Sequence, residues 1–172
     1  FPDLTFAPYM CQWRPAGTLL DCGRSIFTAT EAASEVIPPQ TAFRYGGGQW
    51  QVAGAVAEAV SGKSWDRLFE EIYGEPCGLE SSGFSNPFAG SPQSALLSYP
   101  TEFDGDPGTL PPTRNPSMEA GLYTTTGDYG KLLLMQLREG LCGENFVMSA
   151  NAVERMQANQ IELAWGGKTE SL

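Results

Sequence analysis

The side chains that could perform acid–base chemistry are limited by the absence of histidine from the sequence. Without histidine, a Ser-His-Asp triad, a Cys-His pair or a histidine-ligated zinc cannot form within this chain. Any proton transfer must therefore depend on tyrosine, lysine, aspartate or glutamate, or on a segment outside this chain. The cysteines form no CxxC pair, which also excludes a zinc knuckle or a thioredoxin motif.

Two short motifs hint at ligand binding but lack the residues that the ligand requires. Asp104-Gly105-Asp106 is reminiscent of a calcium loop, but the glycine and closing glutamate of an EF-hand are missing from their places. The run from Gly166 to Thr169 fails as a phosphate-binding loop, because position 162 is glutamate rather than glycine. We therefore interpret the first as a surface turn and predict no metal and no cofactor.

Composition narrows the classes of partner. The net charge is −10, from 20 acidic and 10 basic residues, which disfavours nucleic acid and anionic membranes as partners. No apolar run approaches the 18 residues of a membrane span. The 20 glycines and 13 prolines predict long irregular loops. The chain opens at Phe1 without methionine, and we expect a mature or internal fragment.

Five helices are predicted to position the candidate residues. The clearest runs from about Gln49 to Ser61, and Val52, Val56 and Val60 recur on one face that we expect to be buried. Another helix is expected within residues 18–34, one from residue 64, one over 127–139 and one from residue 149. The inward faces are predicted to carry Trp65, Leu68, Phe69, Ile72, Tyr129, Leu132, Leu133, Leu137, Val153 and Met156.

Capping residues mark the helix starts. Thr18 with Asp21, and Thr125 with Asp128, fit capping pairs, and Ser64 precedes the second clear helix. Gly62 and Gly74 are expected to end the helices that they follow, and Pro76 cannot donate a helical hydrogen bond.

The four cysteines leave alternatives open. Cys11 and Cys22 share one loop region, so they could form a disulfide in an oxidising compartment or remain two buried thiols. Cys77 is typical of a small buried apolar residue, and Cys142 is expected in a surface turn.

Three segments, in order and at suitable spacing, resemble the serine β-lactamase and penicillin-binding-protein-like hydrolases, in the class C and esterase branch. The first reads Pro38-Pro39-Gln40-Thr41-Ala42-Phe43-Arg44-Tyr45-Gly46-Gly47, the second Glu75-Pro76-Cys77-Gly78-Leu79-Glu80-Ser81-Ser82-Gly83-Phe84, and the third Ala120-Gly121-Leu122-Tyr123-Thr124-Thr125-Thr126-Gly127-Asp128. Together they cover about residues 38–158. The resemblance implies an α+β fold, of which this chain would be the mostly helical, strand-poor lobe with long loops.

The resemblance also implies a function and its residues. Such hydrolases attack an ester, amide or β-lactam through an acyl-serine intermediate. By position, Tyr45 would be the catalytic proton carrier, and Gly46 and Gly47 would bind substrate. A phenol with a pKa near 10 becomes a usable base only if nearby ammonium groups lower that value.

The sequence departs from this family in its nucleophile. No Ser-x-x-Lys occurs, and the nearest run is Ser64-Trp65-Asp66-Arg67, whose arginine cannot act as a neutral base. Gly47 stands where the family often has asparagine, and Lys168-Thr169-Glu170 follows the last predicted helix too closely to be the family's lysine-led strand. The chain alone is therefore expected to be inactive, and a non-catalytic binding module or decayed homologue on the same scaffold is the alternative.

The domain organisation follows from these segments. We expect a single domain over residues 1–172, with a loop-rich segment at 1–37 that could carry a disulfide and a family-like core at 38–158. A secreted or periplasmic location is expected by analogy with the family. The sequence does not indicate the oligomeric state.

Overall fold

The computed structural model describes residues 9–14, 16–32, 38, 46–86 and 103–165. These residues form seven α-helices and four short strands. The helices are α1 (Leu19–Glu31), α2 (Gly48–Ser61), α3 (Trp65–Phe69), α4 (Glu75–Cys77), α5 (Thr126–Leu137), α6 (Ala150–Gln157) and α7 (Gln160–Trp165). Short 3-10 turns lie at Tyr9–Trp13 and Pro107–Thr109.

The strands form two separate antiparallel pairs. β1 (Ser82–Phe84) pairs with β2 (Leu122–Thr124), and β3 (Leu141–Cys142) pairs with β4 (Asn145–Phe146). The fold is therefore α+β, mostly helical and poor in strands, as the sequence predicts.

Local signals in the sequence account for the helix boundaries. The hydroxyl groups of Thr18, Ser64, Thr125 and Ser149 each accept a backbone N–H three residues further on, at 3.0 to 3.4 Å. Gly62 ends α2 in the left-handed conformation, with φ of 68°. The predicted N-cap residues and the predicted stop at Gly62 are thus confirmed, whereas the predicted stop at Gly74 is wrong, because the helical backbone continues through this residue.

Proline does not end the helical segment that begins with α3. After α3 the backbone continues through a π-helical turn at Glu70–Gly74 and into α4, where Pro76 lies in the first turn. The π turn shifts the backbone pairing just before Pro76, so the missing N–H is tolerated. Gly78, in the left-handed conformation, is the residue that stops the segment.

Helices α1 and α2 pack closely through small residues. Gly23 of α1 meets Ala55 of α2, and a β-carbon added at Gly23 would lie only 2.4 Å from that of Ala55. The predicted valine face of α2 is wrong, because Val56 is 54% exposed and Val60 is 81% exposed. The small residues permit a close helix approach that places the larger valines on the outer side.

A second apolar cluster joins α4, α5 and the β3–β4 hairpin. Its buried members are Cys77, Leu79, Met135 and Cys142, and it is flanked by Phe69, Tyr73, Leu132 and Val147. Val153 is buried as expected. Several residues predicted to face the core are instead substantially exposed, namely Ile72, Tyr129, Leu133, Leu137 and Met156.

Two disulfides cross-link the described residues, one over 11 positions and one over 65. Cys11 is bonded to Cys22, with their Cα atoms 5.5 Å apart, which selects the disulfide over the pair of buried thiols. Cys77 is bonded to Cys142, with a Cα separation of 5.0 Å. The expectation of a surface turn at Cys142 is therefore wrong: this residue is buried in β3, although Cys77 is buried as predicted.

None of the helices that the structure describes combines the length and the apolar character that a membrane span needs.

Candidate functional site

The candidate site is centred on the start of helix α2. Gly46 and Gly47, predicted to bind substrate, lie immediately before this helix, and Gly47 is its N-cap residue. The carbonyl oxygen of Gly46 accepts a hydrogen bond from the Gln49 side chain. Tyr45, the predicted proton carrier, precedes Gly46 in sequence and lies outside the described residues, so its role stays a prediction.

A carboxylate contacts the backbone at Gly47. A β-carbon built on Gly47 would lie 1.9 Å from one oxygen of Glu119, so the carboxylate occupies the space that any side chain at position 47 would need. At this end of α2 a negative charge is favoured by the helix dipole. A larger residue at position 47 would require the Glu119 side chain to move aside.

A buried glutamine holds that segment against α2. Gln51 is fully buried; its side chain donates to Asn115 Oδ1 at 2.9 Å and to the carbonyl of Pro116 at 3.0 Å. Its Oε1 atom accepts the backbone N–H of Met118 at 3.0 Å. Because Met118 precedes Glu119, these bonds place the backbone that carries Glu119 beside the start of the helix.

The same network extends to the N-terminal part of the chain. Asn115 Nδ2 donates to the carbonyls of Cys11 and Arg14, at 2.8 and 2.9 Å. Asn86 Nδ2 donates to the carbonyls of Gln12 and Asn115, at 3.2 and 3.0 Å. Three buried amide side chains thus tie three separate segments to the start of the site-bearing helix.

The other two family-like segments lie side by side. They contribute β1 and β2, which pair in the register Ser82 with Thr124, Gly83 with Tyr123 and Phe84 with Leu122. Asp128 of the third segment accepts hydrogen bonds from Ser81 N at 2.7 Å and Ser82 Oγ at 3.2 Å. The second and third family-like segments are therefore in direct contact, where the β1–β2 pair meets the start of helix α5.

Asp128 is charged within this joint. Burial opposes its ionisation, but hydrogen bonds from Lys131, Ser81 and Ser82 outweigh that effect and hold the pKa of Asp128 below its usual value. The Lys131 ammonium lies 2.8 Å from the carboxylate. We assign Asp128 a structural role.

The described residues bring together no nucleophile with a general base. Ser64, in the nearest approach to a Ser-x-x-Lys, is committed to capping α3, and Lys63 and Arg67 both pair with Glu71. Within the described ranges, no group of three or more His, Cys, Asp or Glu side chains could hold a metal ion.

Sequence reasoning missed Glu119 and Gln51 at this site. Gln51 lies directly before the apolar run from Val52 to Ala57, and a polar residue at that position was the available signal for a buried bond. Glu119 carried no signal, because its proximity to Gly47 depends on how a segment some seventy positions later returns to the helix.

Comparison with known proteins gives three findings. The model of the Beta-lactamase family matches residues 4–164. No curated protein matches the chain. Among solved structures, the chain is similar to the crystal structure of a putative beta-lactamase from Bacteroides dorei DSM 17855, with 30% identity and a TM-score of 0.55. The match covers 83% of this chain and 36% of that one, so the chain spans about a third of the length of this neighbour.

Proposed function

This chain belongs to the beta-lactamase family, and from that premise we propose that the complete protein is a serine hydrolase that cleaves an ester, amide or β-lactam through an acyl-serine intermediate. One observation carries the proposal. Gly46 and Gly47, which follow Tyr45, lie directly before α2, and the buried Gln51 network anchors that end of the helix. A backbone held in this way is suited to presenting a neighbouring catalytic side chain in one geometry.

The roles proposed for the site are divided between this chain and a segment that it does not contain. Tyr45 would accept the proton of the nucleophile and return it to the leaving group. Gly46 and Gly47 would let the substrate approach the backbone closely, since neither carries a β-carbon. The serine nucleophile would come from a Ser-x-x-Lys segment, which this sequence lacks.

The test uses the complete protein with a chromogenic ester and a chromogenic cephalosporin. Tyr45→Phe keeps the ring but removes the hydroxyl, and it should lower kcat by about 10²-fold or more, the usual contribution of general acid–base catalysis. Tyr129→Phe, at an exposed tyrosine on α5, is the matched control and should leave kcat unchanged. Full turnover by Tyr45→Phe would remove Tyr45 from the mechanism.

The covalent intermediate has its own measurement. Rapid quenching with a slow substrate should add the mass of one acyl group to the protein, and the peptide that carries it should contain a serine. The 172-residue chain alone should neither turn over the ester nor gain this mass.

A non-catalytic binding module is the second candidate, and the missing Ser-x-x-Lys favours it. The intact mass of the purified protein separates the two readings. A mass that fits the printed sequence, together with no acyl adduct, would support the binding module. A considerably larger mass with ester turnover would support the hydrolase.

We also propose a small-molecule substrate and a secreted or periplasmic location. The two disulfides support that location, since disulfides persist in oxidising compartments. The division into a loop-rich segment at 1–37 and a family-like core at 38–158, within one domain over 1–172, is likewise part of this proposal.

A further inference from the structure

A groove lies at the opposite end of α2 from the candidate site. It consists of two adjoining cavities of about 590 and 580 Å³, which share Ser64, Asp66 and Thr113. Helix α2 has 14 residues, and at a rise of about 1.5 Å per residue its ends are about 20 Å apart. The groove is thus separate from Gly46 and Gly47, and each cavity has the volume of a small-molecule site.

The local cations do not neutralise the acidic side chains of this groove. Lys63 and Arg67 both line it, but each forms an ion pair with Glu71, with Arg67 Nε at 2.7 Å from the carboxylate. Asp66 and Glu58 also line the first cavity, and neither has an ion-pair partner among the described residues. The structure therefore commits two cations to one glutamate and leaves Asp66 and Glu58 facing the first cavity, while Glu70 faces the second.

The surroundings of Asp66 oppose its negative charge. Burial, reinforced by the nearby Glu58 carboxylate, raises the pKa of Asp66 above its usual value. A cation brought beside Asp66 would therefore relieve both the lost hydration and the repulsion from Glu58.

Two further groups of the first cavity are also without partners. The indole Nε1 of Trp65 is buried and donates no hydrogen bond within the described part of the chain. A buried donor without an acceptor is costly, and native proteins rarely leave one unpaired. Arg114 also lines the cavity, and its guanidinium forms no ion pair with the described residues.

We propose that this groove binds a small zwitterionic amine of amino-acid size. The ammonium group would lie between Asp66 and Glu58, and the carboxylate would accept hydrogen bonds from Arg114. Leu20, Ala59 and Trp65 supply apolar wall for a hydrocarbon side chain. This ligand matches the two anions and one cation that the cavity offers, whereas a simple anion or a nucleic acid would meet uncompensated carboxylates.

Binding can be tested by isothermal titration calorimetry with three matched probes. L-leucine carries both charges, isopentylamine carries only the ammonium group and 4-methylpentanoate carries only the carboxylate. L-leucine should bind most tightly, isopentylamine at least tenfold more weakly, and 4-methylpentanoate not at all. Failure of L-leucine to bind, or equal affinity for leucine and the amine, would overturn the proposal.

Variants locate the site and control for adventitious binding. Asp66→Asn and Arg114→Gln should each weaken L-leucine binding at least tenfold, while Glu144→Gln, in an exposed turn, should not change it. Arg114→Gln should leave isopentylamine binding unchanged. If circular dichroism shows that Asp66→Asn does not fold, Glu58→Gln replaces it, because a glutamine side-chain oxygen can still accept the backbone N–H of Trp65. Leucine binding that neither charge variant weakens would refute the assignment.

These measurements need no catalysis. Leucine binding by the complete protein with no ester turnover would retain this site and reject the proposed hydrolase function. Ester turnover without leucine binding would retain the proposed hydrolase function and reject this site.

Discussion

Replacing Gln51 with leucine should destabilise the protein far more than a change of similar size on its surface. Leucine is close to glutamine in volume, so no large cavity forms, and the effect reports hydrogen bonding. The substitution removes three bonds, and it strands Asn115 Oδ1 and the carbonyl of Pro116 in buried positions. The N–H of Met118 is only half-buried and can turn to water.

The expected cost follows from the two stranded acceptors. Each buried group left unpaired costs about 1 to 3 kcal/mol, so the total for Gln51→Leu should be about 3 to 4 kcal/mol after the small gain from burying leucine. For a domain of this size about 1 kcal/mol lowers the melting temperature by about 3 °C. The melting temperature should therefore fall by about 10 °C.

The assay is thermal unfolding followed by circular dichroism without reductant, so that the disulfides stay intact. Gln157→Leu is the matched control, because its side chain is exposed and forms one long bond of 3.5 Å to Gln136. That control should change the free energy of unfolding by less than about 0.5 kcal/mol. If Gln51→Leu and Gln157→Leu melt within about 2 °C of each other, the network does not hold α2 in place.

Two further predictions concern the helix pair and the buried aspartate. Gly23→Ala should lower the free energy of unfolding by about 1 to 2 kcal/mol despite alanine's better helix propensity, because its β-carbon would meet that of Ala55 at 2.4 Å. Adding Ala55→Gly should recover most of that loss when both single variants and the double variant are unfolded in urea. Purely additive effects of the two substitutions would contradict the contact. Asp128→Asn should destabilise the protein by about 1 to 3 kcal/mol at neutral pH, because hydrogen bonds to the charged carboxylate are lost. The pKa of Asp128 is lowered on folding, so its stabilising effect is complete above the unfolded pKa of about 3.9 and is lost as pH falls through the lower folded value. The difference in unfolding free energy between wild type and Asp128→Asn should therefore be constant from pH 5 to 7 and shrink as the pH falls below 4, and a difference that stays undiminished down to the lowest pH at which both proteins fold would refute the linkage.

Short-range patterns in the sequence were sufficient for the helix starts. Thr18, Ser64 and Thr125 cap helices because their hydroxyl groups meet an N–H only three residues away, a relation that needs no knowledge of the rest of the fold. The order of the three family-like segments likewise predicted the family and the α+β lobe.

Long-range contacts explain where the sequence predictions failed. The period of Val52, Val56 and Val60 correctly predicts a helix, but the choice of buried face depends on the partner helix. Because Gly23 and Ala55 allow a close approach, α1 covers the side of α2 that carries small residues and Gln51. Glu119 was missed for the same reason, since the segment that carries it meets α2 only through folding.

The disulfides take the place of a larger apolar core. Among the described residues, nine hydrophobic side chains are buried, and three of these are the cysteines 22, 77 and 142. In the chain-entropy account, the cross-link between Cys77 and Cys142, 65 positions apart, stabilises the fold by about 4 kcal/mol, and that between Cys11 and Cys22, 11 positions apart, by about 3 kcal/mol.

Each bond also supports a different part of the molecule. The first disulfide holds residues 9–14, whose carbonyls accept the amide bonds of Asn115 and Asn86 beside α2. The second closes the cluster formed by α4, α5 and the hairpin. Asn115 bonds both to the carbonyls of residues 9–14 and to the Gln51 side chain, so the short disulfide is the one that is connected to the Gln51 network of α2. We therefore expect reduction of Cys11–Cys22 to affect the α2 end of the molecule, and reduction of Cys77–Cys142 to affect the cluster around α4 and α5.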